Sequence, residues 1–244
     1  MRDRRYRDVE GLAVIEGPRP LRTAIEIGVD LEEVFYRPDQ GEISASVEAA
    51  QANCYEVDAE TLDEIADSRS PQGVLAVAKV HETALDAIAT MRRVVVIDSV
   101  QDPGNVGAIV RTAAAAQFDA VITAPGTADL WSTRAIRASA GTLFALNVAR
   151  RIDLGSTLDL LREAGHVIFA TDSDGEISIN DIDVADRMTL MVGSEAHGVS
   201  KAVMARTDAM IRVPMGPFVE SLNVAVAAGI VMYRMQQDAT GWAR

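Results

Sequence analysis

The stretch Met210–Met235, with the sequence MIRVPMGPFVESLNVAVAAGIVMYRM, joins a strand, a loop and a helix within a short length of chain. Its apolar beginning, Met210 to Val213, predicts a strand that ends at Pro214. A polar loop follows, and Ser221 is the expected N-cap of a helix rich in small side chains. Open α/β sheets bind ligands where a strand leads into a helix. The stretch therefore predicts either a ligand loop or simply a capped core helix.

The composition is that of a globular protein that is expected to be cytoplasmic. Its 244 residues are enough for one α/β domain, or for a small domain followed by a medium one. The single cysteine, Cys54, excludes an internal disulfide and fits a reducing compartment. The histidines lack metal-ligand spacing, so no metal is expected. We also find no signal-peptide pattern and no apolar run long enough to span a bilayer.

The net charge of −13 argues against a polyanionic partner, because phosphates must be met by lysine or arginine. Arginines are nevertheless clustered locally, and arginine patches on an acidic body are compatible with RNA. Most such patches are solvated surface. The candidates for RNA contacts are Arg4, Arg5, Arg7, Arg134 and Arg137.

Residues 1–85 are predicted to form a small αβ unit, and residues 86–244 a larger domain. The small unit offers no nucleophile with a base, which indicates a binding or interaction module. Its predicted strands are Leu12–Glu16, Glu33–Tyr36 and Val74–Val80, and its predicted helices begin at Pro18 and cover Val47–Ala52 and Ala59–Asp67.

The larger domain alternates unbroken apolar runs with helical segments. Such runs suit strands that are buried on both faces, and the alternation predicts an α/β domain whose parallel sheet is covered by helices. The predicted strands are Val94–Ile97, Ala120–Ala124, Leu143–Val148, Val167–Thr171, Leu190–Val192 and Met210–Val213. The predicted helices are Val106–Ala116, Arg134–Ala140, Thr157–Ala164 and Val199–Arg206.

The loop after the first of these strands, in Asp98–Arg111, lacks the glycine spacing of a dinucleotide-binding fold and the G-K-[ST] of a phosphate loop. Asn105 lies at its tip. Arg111, further along the helix, is expected to face the same side as Asn105. An arginine there can hold a phosphate bidentately, or it can pair with a surface acid.

A second strand leads into Gly193–Gly198. Glu195 in this loop can accept hydrogen bonds from a ligand or fix a loop amide. His197 suggests a general base, but no second residue for a dyad can be named, and a bystander is at least as plausible.

These loops together resemble a known family. Three segments are similar, in order, to the three motifs of the SpoU (TrmH-type) RNA ribose 2′-O-methyltransferases of the SPOUT superfamily: Asp102–Arg111, Gly193–Ser200 and Val213–Ala227. Arg134–Gly141 also resembles a family stretch. Glu10–Gly17 and Ser70–Ala76 are similar to the L30e-like RNA-binding domain that many members carry in front of the catalytic domain. The likeness covers nearly the whole chain, and the ordered triple is specific although each loop alone is weak.

The resemblance implies a C-terminal α/β trefoil-knot domain that works as a homodimer with S-adenosylmethionine as methyl donor. Knots break the rule that folds are un-knotted, so no sequence pattern predicts one. Carried over by position, the backbone around Gly193, Val213 and Leu222 is expected to hold the adenosyl group. Thr171 and Met215 are further candidates for cofactor binding. The catalytic and RNA-facing set is Asn105, Arg111, Glu195, Ser221 and Asn223, with Arg111 close to the cofactor of the partner subunit.

The residue types agree with this chemistry. Methyl transfer to a hydroxyl needs oxygen, carbon and sulfur in line, and the hydroxyl is a poor nucleophile until its proton leaves. Arg111 either holds the adjacent phosphate or accepts the proton where that phosphate assists, and both roles stay open. Ser221 and Asn223 are assigned to positioning, since neither is basic.

Two departures from the family pattern lie in these loops. Many relatives have a glycine after Pro-Met-x, whereas here Gly216 precedes Pro217, which is expected to alter the loop over the cofactor. Ser194 and Ala196 flank Glu195 where asparagine and glycine are frequent.

The leading hypothesis is an S-adenosylmethionine-dependent enzyme that methylates a ribose 2′-OH in RNA, with 23S rRNA favoured. Transfer RNA is the alternative substrate. A non-catalytic RNA-binding or ribosome-assembly protein that retains the fold is the alternative from a different class. A nucleotide-dependent oxidoreductase is disfavoured because the required glycine spacing is absent.

Overall fold

Strands and helices alternate along most of the chain in the computed structural model, which describes residues 4–38, 47, 50–68, 70–194 and 198–237. The strands are β1 (Leu12–Glu16), β2 (Leu31–Tyr36), β3 (Asn53–Glu56), β4 (Val74–Lys79), β5 (Arg93–Ile97), β6 (Ala120–Thr123), β7 (Asn147–Ala149), β8 (Val167–Thr171), β9 (Ile177–Ser178), β10 (Met188–Val192) and β11 (Ala209–Arg212). The helices are α1 (Arg4–Glu10), α2 (Pro18–Ile27), α3 (Ala59–Ile65), α4 (Leu85–Ala89), α5 (Pro103–Ala115), α6 (Thr133–Ala138), α7 (Leu154–Glu163), α8 (Lys201–Met204) and α9 (Val224–Gln237).

One unit consists of Met1–His81 together with Asp129–Ala145. Its four-stranded sheet has the order β1-β4-β2-β3, in which β2 and β3 are parallel and the other pairs are antiparallel. Helix α2 begins at a proline, as predicted, and ends at Gly28 in the left-handed conformation. Leu21 and Ala24 of this helix are buried, which is the apolar face that their spacing predicts.

The segment Asp129–Ala145 belongs to this first unit although it lies late in the sequence. Nη2 of Arg7 lies 2.8 Å from Oδ2 of Asp129, and these side chains are only 11% and 9% exposed. At Gly141, where φ is +82°, an added Cβ would lie 2.6 Å from the carbonyl oxygen of Pro20. The sequence predicted a single boundary, and nothing in its pattern indicated this return of the chain.

The second unit consists of Glu82–Ala128 and Leu146–Arg244. Its seven strands have the order β7-β6-β5-β10-β8-β11-β9, and every neighbouring pair is parallel. Residues Val94 to Ile97 of β5 are fully buried, as expected of a strand with both faces covered. The predicted α/β class, a mostly parallel sheet flanked by helices and preceded by a small αβ unit, is confirmed.

Two late strands insert between earlier ones. Strand β10 lies between β5 and β8, and β11 lies between β8 and β9. Because all of these strands run parallel, the carboxyl ends of β8, β10 and β11 meet at one edge of the sheet. Ligand sites in open α/β sheets lie at this edge.

Several predicted elements are wrong in detail. The predicted strand Leu143–Val148 is a 3-10 helix at Thr142–Ala145 followed by the short β7. The apolar run misled the prediction because Leu143 is buried within the turn. Strand β3 was missed because all four of its residues are exposed, and β9 because it has only two residues. Helix α8 is shorter than predicted. Of the predicted helix Val47–Ala52, Val47 is helical and residues 50–52 are not, while residues 48 and 49 lie outside the described residues.

His166 is a core histidine, 3% exposed. Its Nε2 lies 3.2 Å from the carbonyl oxygen of Ala89, and its Nδ1 lies 3.0 Å from Oγ1 of Thr189. The carbonyl can only accept, so Nε2 carries the proton and Nδ1 accepts from the hydroxyl. Burial lowers the pKa of the His166 imidazole below its ordinary value, which keeps the ring neutral. No described helix has the length and apolar character needed to cross a membrane.

Two glycines test the close approach in the first unit. Gly28 and Gly141 have nearly the same φ, 83° and 82°, but an added Cβ at Gly28 meets nothing within 4 Å. Alanine should cost roughly 1 kcal/mol of left-handed backbone strain at either position. We expect Gly141→Ala to lower the free energy of unfolding by a further ~2 kcal/mol from overpacking, measured by urea denaturation. Equal losses in the two variants would contradict the described contact with Pro20.

Candidate functional site

A cleft of about 330 Å³ opens where β8, β10 and β11 end. All the residues assigned to the cofactor on the sequence line it: Thr171, Gly193, Val213, Met215 and Leu222. Ser221 of the predicted catalytic set lines it as well. The volume is within the lower range of cavities that hold small molecules, and the lining mixes apolar side chains with backbone and hydroxyl groups.

The two ends of the loop Gly193–Gly198, which follows β10, are fixed by close backbone packing and by hydrogen bonds. A Cβ on Gly193 would overlap the backbone of Gly198, so no side chain fits at this position. Ser194 and Gly198 exchange two backbone hydrogen bonds, of 3.0 and 2.9 Å. Oδ2 of Asp98, at the end of β5, accepts a hydrogen bond from the backbone N–H of Ser200 at 3.1 Å. Glu195 and His197, predicted within this loop, lie outside the described residues.

The third loop contains the departure from the family pattern. The N–H of Val219 donates to the carbonyl oxygen of Gly216 at 3.1 Å, which closes a four-residue turn. Pro217 occupies the second position of that turn, where its fixed φ is favourable. An added Cβ at Gly216 would meet nothing within 4 Å. The proline is therefore accommodated by an ordinary turn that leaves Met215 and Ser221 on the cleft wall.

Asn223 is the N-cap of helix α9, so the prediction of Ser221 as the N-cap is wrong. Oδ1 of Asn223 accepts hydrogen bonds from the N–H groups of Ala225, at 2.9 Å, and Val226, at 3.3 Å. Its Nδ2 donates to Oδ1 of Asn105 at 3.1 Å. The structure thus joins two of the predicted catalytic residues directly. It also shows that the carbonyl side of the Asn223 amide is already used by the helix.

Arg111 does not share the face of Asn105, so that expectation is wrong. Six residues at 3.6 per turn rotate the side chain by about 240°, not by a whole number of turns. Ala108 and Thr112, at helical spacing from Asn105, line the same groove as it does, and Arg111 does not. Arg111 is exposed. No hydrogen bond or ion pair connects its guanidinium to the part of the chain that the structure describes.

Helix α9 presents two apolar faces. One packs against α5, where an added Cβ on Gly229 would lie 3.2 Å from Cγ2 of Thr112. The small residues of the stretch Met210–Met235 therefore allow two helices of the same chain to pack closely. The other face is exposed, with Val226 at 51%, Ile230 at 40% and Tyr233 at 50%. This face borders the open groove of about 560 Å³ that contains Asn105 and Asn223.

Several arginines predicted to contact RNA have carboxylate partners in the first unit. Arg7 pairs with Asp129, as described above, and Nε of Arg4 lies 3.9 Å from the same carboxylate. Nη1 of Arg137 lies 3.5 Å from Oε1 of the buried Glu16. Arg5 and Arg134 also have interactions of their own. An arginine as buried as Arg7 has a structural role that competes with RNA contact.

Sequence analysis missed the remaining wall of the cleft. Asp172, Ser173 and Asp174 line it, in the loop that follows β8. Arg212, just before Val213, holds this loop through its side chain. A polar, glycine-containing loop directly after the predicted strand Val167–Thr171 was the available indication, and it is the same pattern that identified the other two loops. Among the described residues, no group of three or more His, Cys, Asp or Glu is arranged to hold a metal ion.

Comparison with known proteins agrees with this geometry. The SpoU rRNA Methylase family matches residues 92–233. The chain belongs to this family, and the predicted resemblance is confirmed. The MRM3-like substrate binding domain matches residues 1–76. The SpoU family match thus includes all three loops of the cleft, helix α5 and the part of α9 up to Tyr233.

Individual members of the SpoU family align over most of their length. The chain is 34% identical to a 23S rRNA (guanosine(2553)-2′-O)-methyltransferase, RlmP, of Bacillus subtilis, over 91% of this chain and 88% of that protein. It is 31% identical to a 23S rRNA (adenosine(1067)-2′-O)-methyltransferase of Streptomyces laurentii, over 93% and 87%.

Two solved structures superpose on nearly the whole chain. AviRb of Streptomyces viridochromogenes, crystallised with AdoMet, superposes with a TM-score of 0.86 at 27% identity, over 98% of this chain and 95% of that one. An AdoMet-bound rRNA methyltransferase of Sinorhizobium meliloti superposes with a TM-score of 0.83 at 27% identity, over 96% and 90%.

Two substitutions separate the roles of Asn223. Asn223→Ala removes the cap and should lower the free energy of unfolding by about 1 kcal/mol, as measured by urea denaturation. Asn223→Asp retains an oxygen that caps the helix but cannot donate to Asn105, so its stability should remain near that of the wild type. If the aspartate destabilises as much as the alanine, the cap is not the stabilising contact.

Proposed function

We propose that this chain transfers the methyl group of S-adenosylmethionine to a ribose 2′-OH of 23S rRNA. The observation that carries the proposal is the cleft at the ends of β8, β10 and β11, which is lined by all five residues predicted from the sequence to bind the cofactor. Two aligned relatives are 23S rRNA 2′-O-methyltransferases by name. Two of the solved structures that superpose on this chain contain AdoMet, which supports the same donor here.

The cleft residues fit an adenosyl group. Val213 and Leu222 provide apolar contacts, and Gly193 exposes backbone where no side chain fits. Backbone N–H and C=O groups recognise the edge of an adenine without a change of charge. When bound, S-adenosylmethionine supplies an electrophilic methyl group on a positively charged sulfur. The chain itself supplies orientation and exclusion of water.

The RNA side of the reaction is assigned to the asparagine pair and to Arg111. The Asn223 side chain bonds to the helix and to Asn105, and the second N–H of its amide has no partner among the described residues, so it can orient a ribose oxygen. Arg111 is exposed. An exposed guanidinium can bind a backbone phosphate next to the target ribose through two hydrogen bonds. We favour this phosphate contact over proton abstraction by Arg111. The adjacent phosphate would then accept the 2′-OH proton as the methyl group leaves the sulfur. Glu195 and Ser221 complete the proposed set.

The N-terminal unit is proposed to contact the rRNA, with residues 1–85 and 86–244 as the functional division. The match to a substrate binding domain over residues 1–76 supports this division. The return of Asp129–Ala145 to the first unit adds α6 to the proposed RNA-binding side. Arg5, Arg134 and Arg137 are the better candidates there, because Arg7 is buried in its ion pair. With rRNA as substrate, the protein would act in the cytoplasm.

The active form is proposed to be a homodimer whose C-terminal segment forms a trefoil knot. The insertion of β10 and β11 between earlier strands supports a knotted path. The exposed apolar face of α9 supports a second copy as its cover, since a helix that is apolar on two faces is normally buried on both. Arg111 would then reach the partner's cofactor site across this contact.

Methyl transfer tests the function directly. Purified protein with labelled S-adenosylmethionine and unmodified 23S rRNA should place label in a 2′-O-methylnucleotide. Arg111→Ala should slow the transfer by about 100-fold, because a positioned cation at the reacting phosphate is lost. Arg162→Ala, a surface arginine paired with Asp208, is the matched control and should retain activity.

Two outcomes would assign one of the alternative functions, and a third would contradict the role of Arg111. Label in tRNA but not in rRNA would assign the other substrate. Cofactor binding by calorimetry without label in any RNA would assign a non-catalytic RNA-binding or assembly protein. Equal activities of Arg111→Ala and the wild type would contradict the role given to Arg111.

Sedimentation velocity tests the dimer. The wild type should sediment as a dimer at micromolar concentration, and Ile230→Arg, in the exposed face of α9, should sediment as a monomer. Ile65→Arg is the matched control, because Ile65 is similarly exposed at 43% but lies in the first unit. A monomeric wild type, or a dimeric Ile230→Arg, would contradict the proposed interface.

A further inference from the structure

The loop Asp172–Glu176 joins two strands that lie on opposite sides of a third. Strands β8 and β9 both pair with β11, in the order β8-β11-β9. The loop between them must therefore cross over β11. Its first half forms a wall of the cleft, through Asp172, Ser173 and Asp174.

Backbone contacts fix the loop at its start and at its crossing point. The N–H of Asp172 donates to the carbonyl oxygen of Ile211 at 3.0 Å. At Gly175 the loop lies so close to β11 that an added Cβ would be 2.7 Å from the carbonyl oxygen of Met210. Gly175 is buried. Only a glycine allows this crossing.

The side chain of Arg212 fixes the far end of the loop. Its Nη1 donates to the carbonyl oxygens of Gly175, at 2.7 Å, and Glu176, at 2.9 Å. Because side chains alternate along a strand, Arg212 points away from the cleft that Ile211 and Val213 line. The guanidinium therefore contacts the loop on the side facing away from the cleft. Arg212 does not line the cleft.

We propose that Arg212 is a positioning residue for the cofactor: it fixes the Asp172–Glu176 loop across β11 so that the cleft wall is formed before the ligand binds. A wall that is already ordered does not have to be ordered during binding, so affinity is higher. Arg212 acts through the loop and leaves the reacting atoms unaffected. The identity of the ligand, S-adenosylmethionine, rests on the proposed function.

The expected result of Arg212→Ala is a change in binding without a change in turnover. If the loop then adopts its bound arrangement about a tenth of the time, the Kd for S-adenosylmethionine rises about tenfold. Its KM should rise in parallel, while kcat at saturation stays within about twofold. Arg212→Lys keeps a cationic donor but on a shorter side chain, so its Kd should lie between those of the wild type and Arg212→Ala.

Arg187→Ala is the matched control. Nη1 of Arg187 donates to the carbonyl oxygen of Ala164 at 2.7 Å, the same kind of guanidinium-to-loop contact, but neither residue lines the cleft. Both alanine variants should lower Tm to a similar extent. Only Arg212→Ala should weaken cofactor binding. A merely structural role of Arg212 predicts equal effects on binding for both variants once the fraction of folded protein is the same.

Hydrogen exchange of the full chain without cofactor provides an independent measurement. Amides of the peptide covering residues 171–178 should exchange faster in Arg212→Ala than in the wild type, and at the wild-type rate in Arg187→Ala. Unchanged exchange, or an unchanged Kd in Arg212→Ala, would overturn the proposal. A wild type that does not bind S-adenosylmethionine would instead refute the proposed function, and the exchange rates would still decide whether Arg212 holds the loop.

Discussion

The insertion of β10 and β11 into an already parallel sheet is the constraint on which the rest of this structure depends. Without it, β8 would lie beside β5 and the loops after β8, β10 and β11 would not meet. With it, three segments that are far apart in the sequence end at neighbouring points of one edge. Each contributes backbone and small side chains to one cleft. The site is therefore a consequence of strand order more than of any single residue.

Two glycines allow the backbone segments at the ends of these strands to approach each other closely. Gly193 leaves room for the backbone of Gly198 after β10, and Gly175 lets the loop after β8 cross β11. A Cβ at either position would require backbone to move. The loops that form the cleft are thus fixed by close backbone packing, which is consistent with a site that binds a ligand without large rearrangement.

Asn223 connects the N-terminus of α9 to Asn105. Its amide oxygen caps α9 and its amide nitrogen bonds to Asn105, so the asparagine pair is oriented by the helix that packs against α5. Through that packing, the small residues of the stretch Met210–Met235 hold the pair in place. The exposed apolar face of α9 begins beside the same residues, so a partner covering that face would also border the site.

The sequence predicted the class of the fold and most strands, because buried parallel strands give unbroken apolar runs such as Val94–Ile97. It also predicted the cleft lining at Gly193 and Leu222, through the order of the motifs. It did not predict that Asn223 would replace Ser221 as the cap, because both residue types favour that position. The return of Asp129–Ala145 and the contacts of Arg212 depend on distant parts of the chain and have no local pattern.

The central claim is that the loops after β8, β10 and β11 form the binding site of the methyl donor. A crystal structure of the protein grown with S-adenosylmethionine tests this claim most directly. We predict electron density for the adenosyl group in the cleft between Thr171, Gly193 and Leu222, with the loop Asp172–Glu176 in the arrangement described above. An empty cleft at saturating cofactor, or density for the cofactor elsewhere on the chain, would contradict the account.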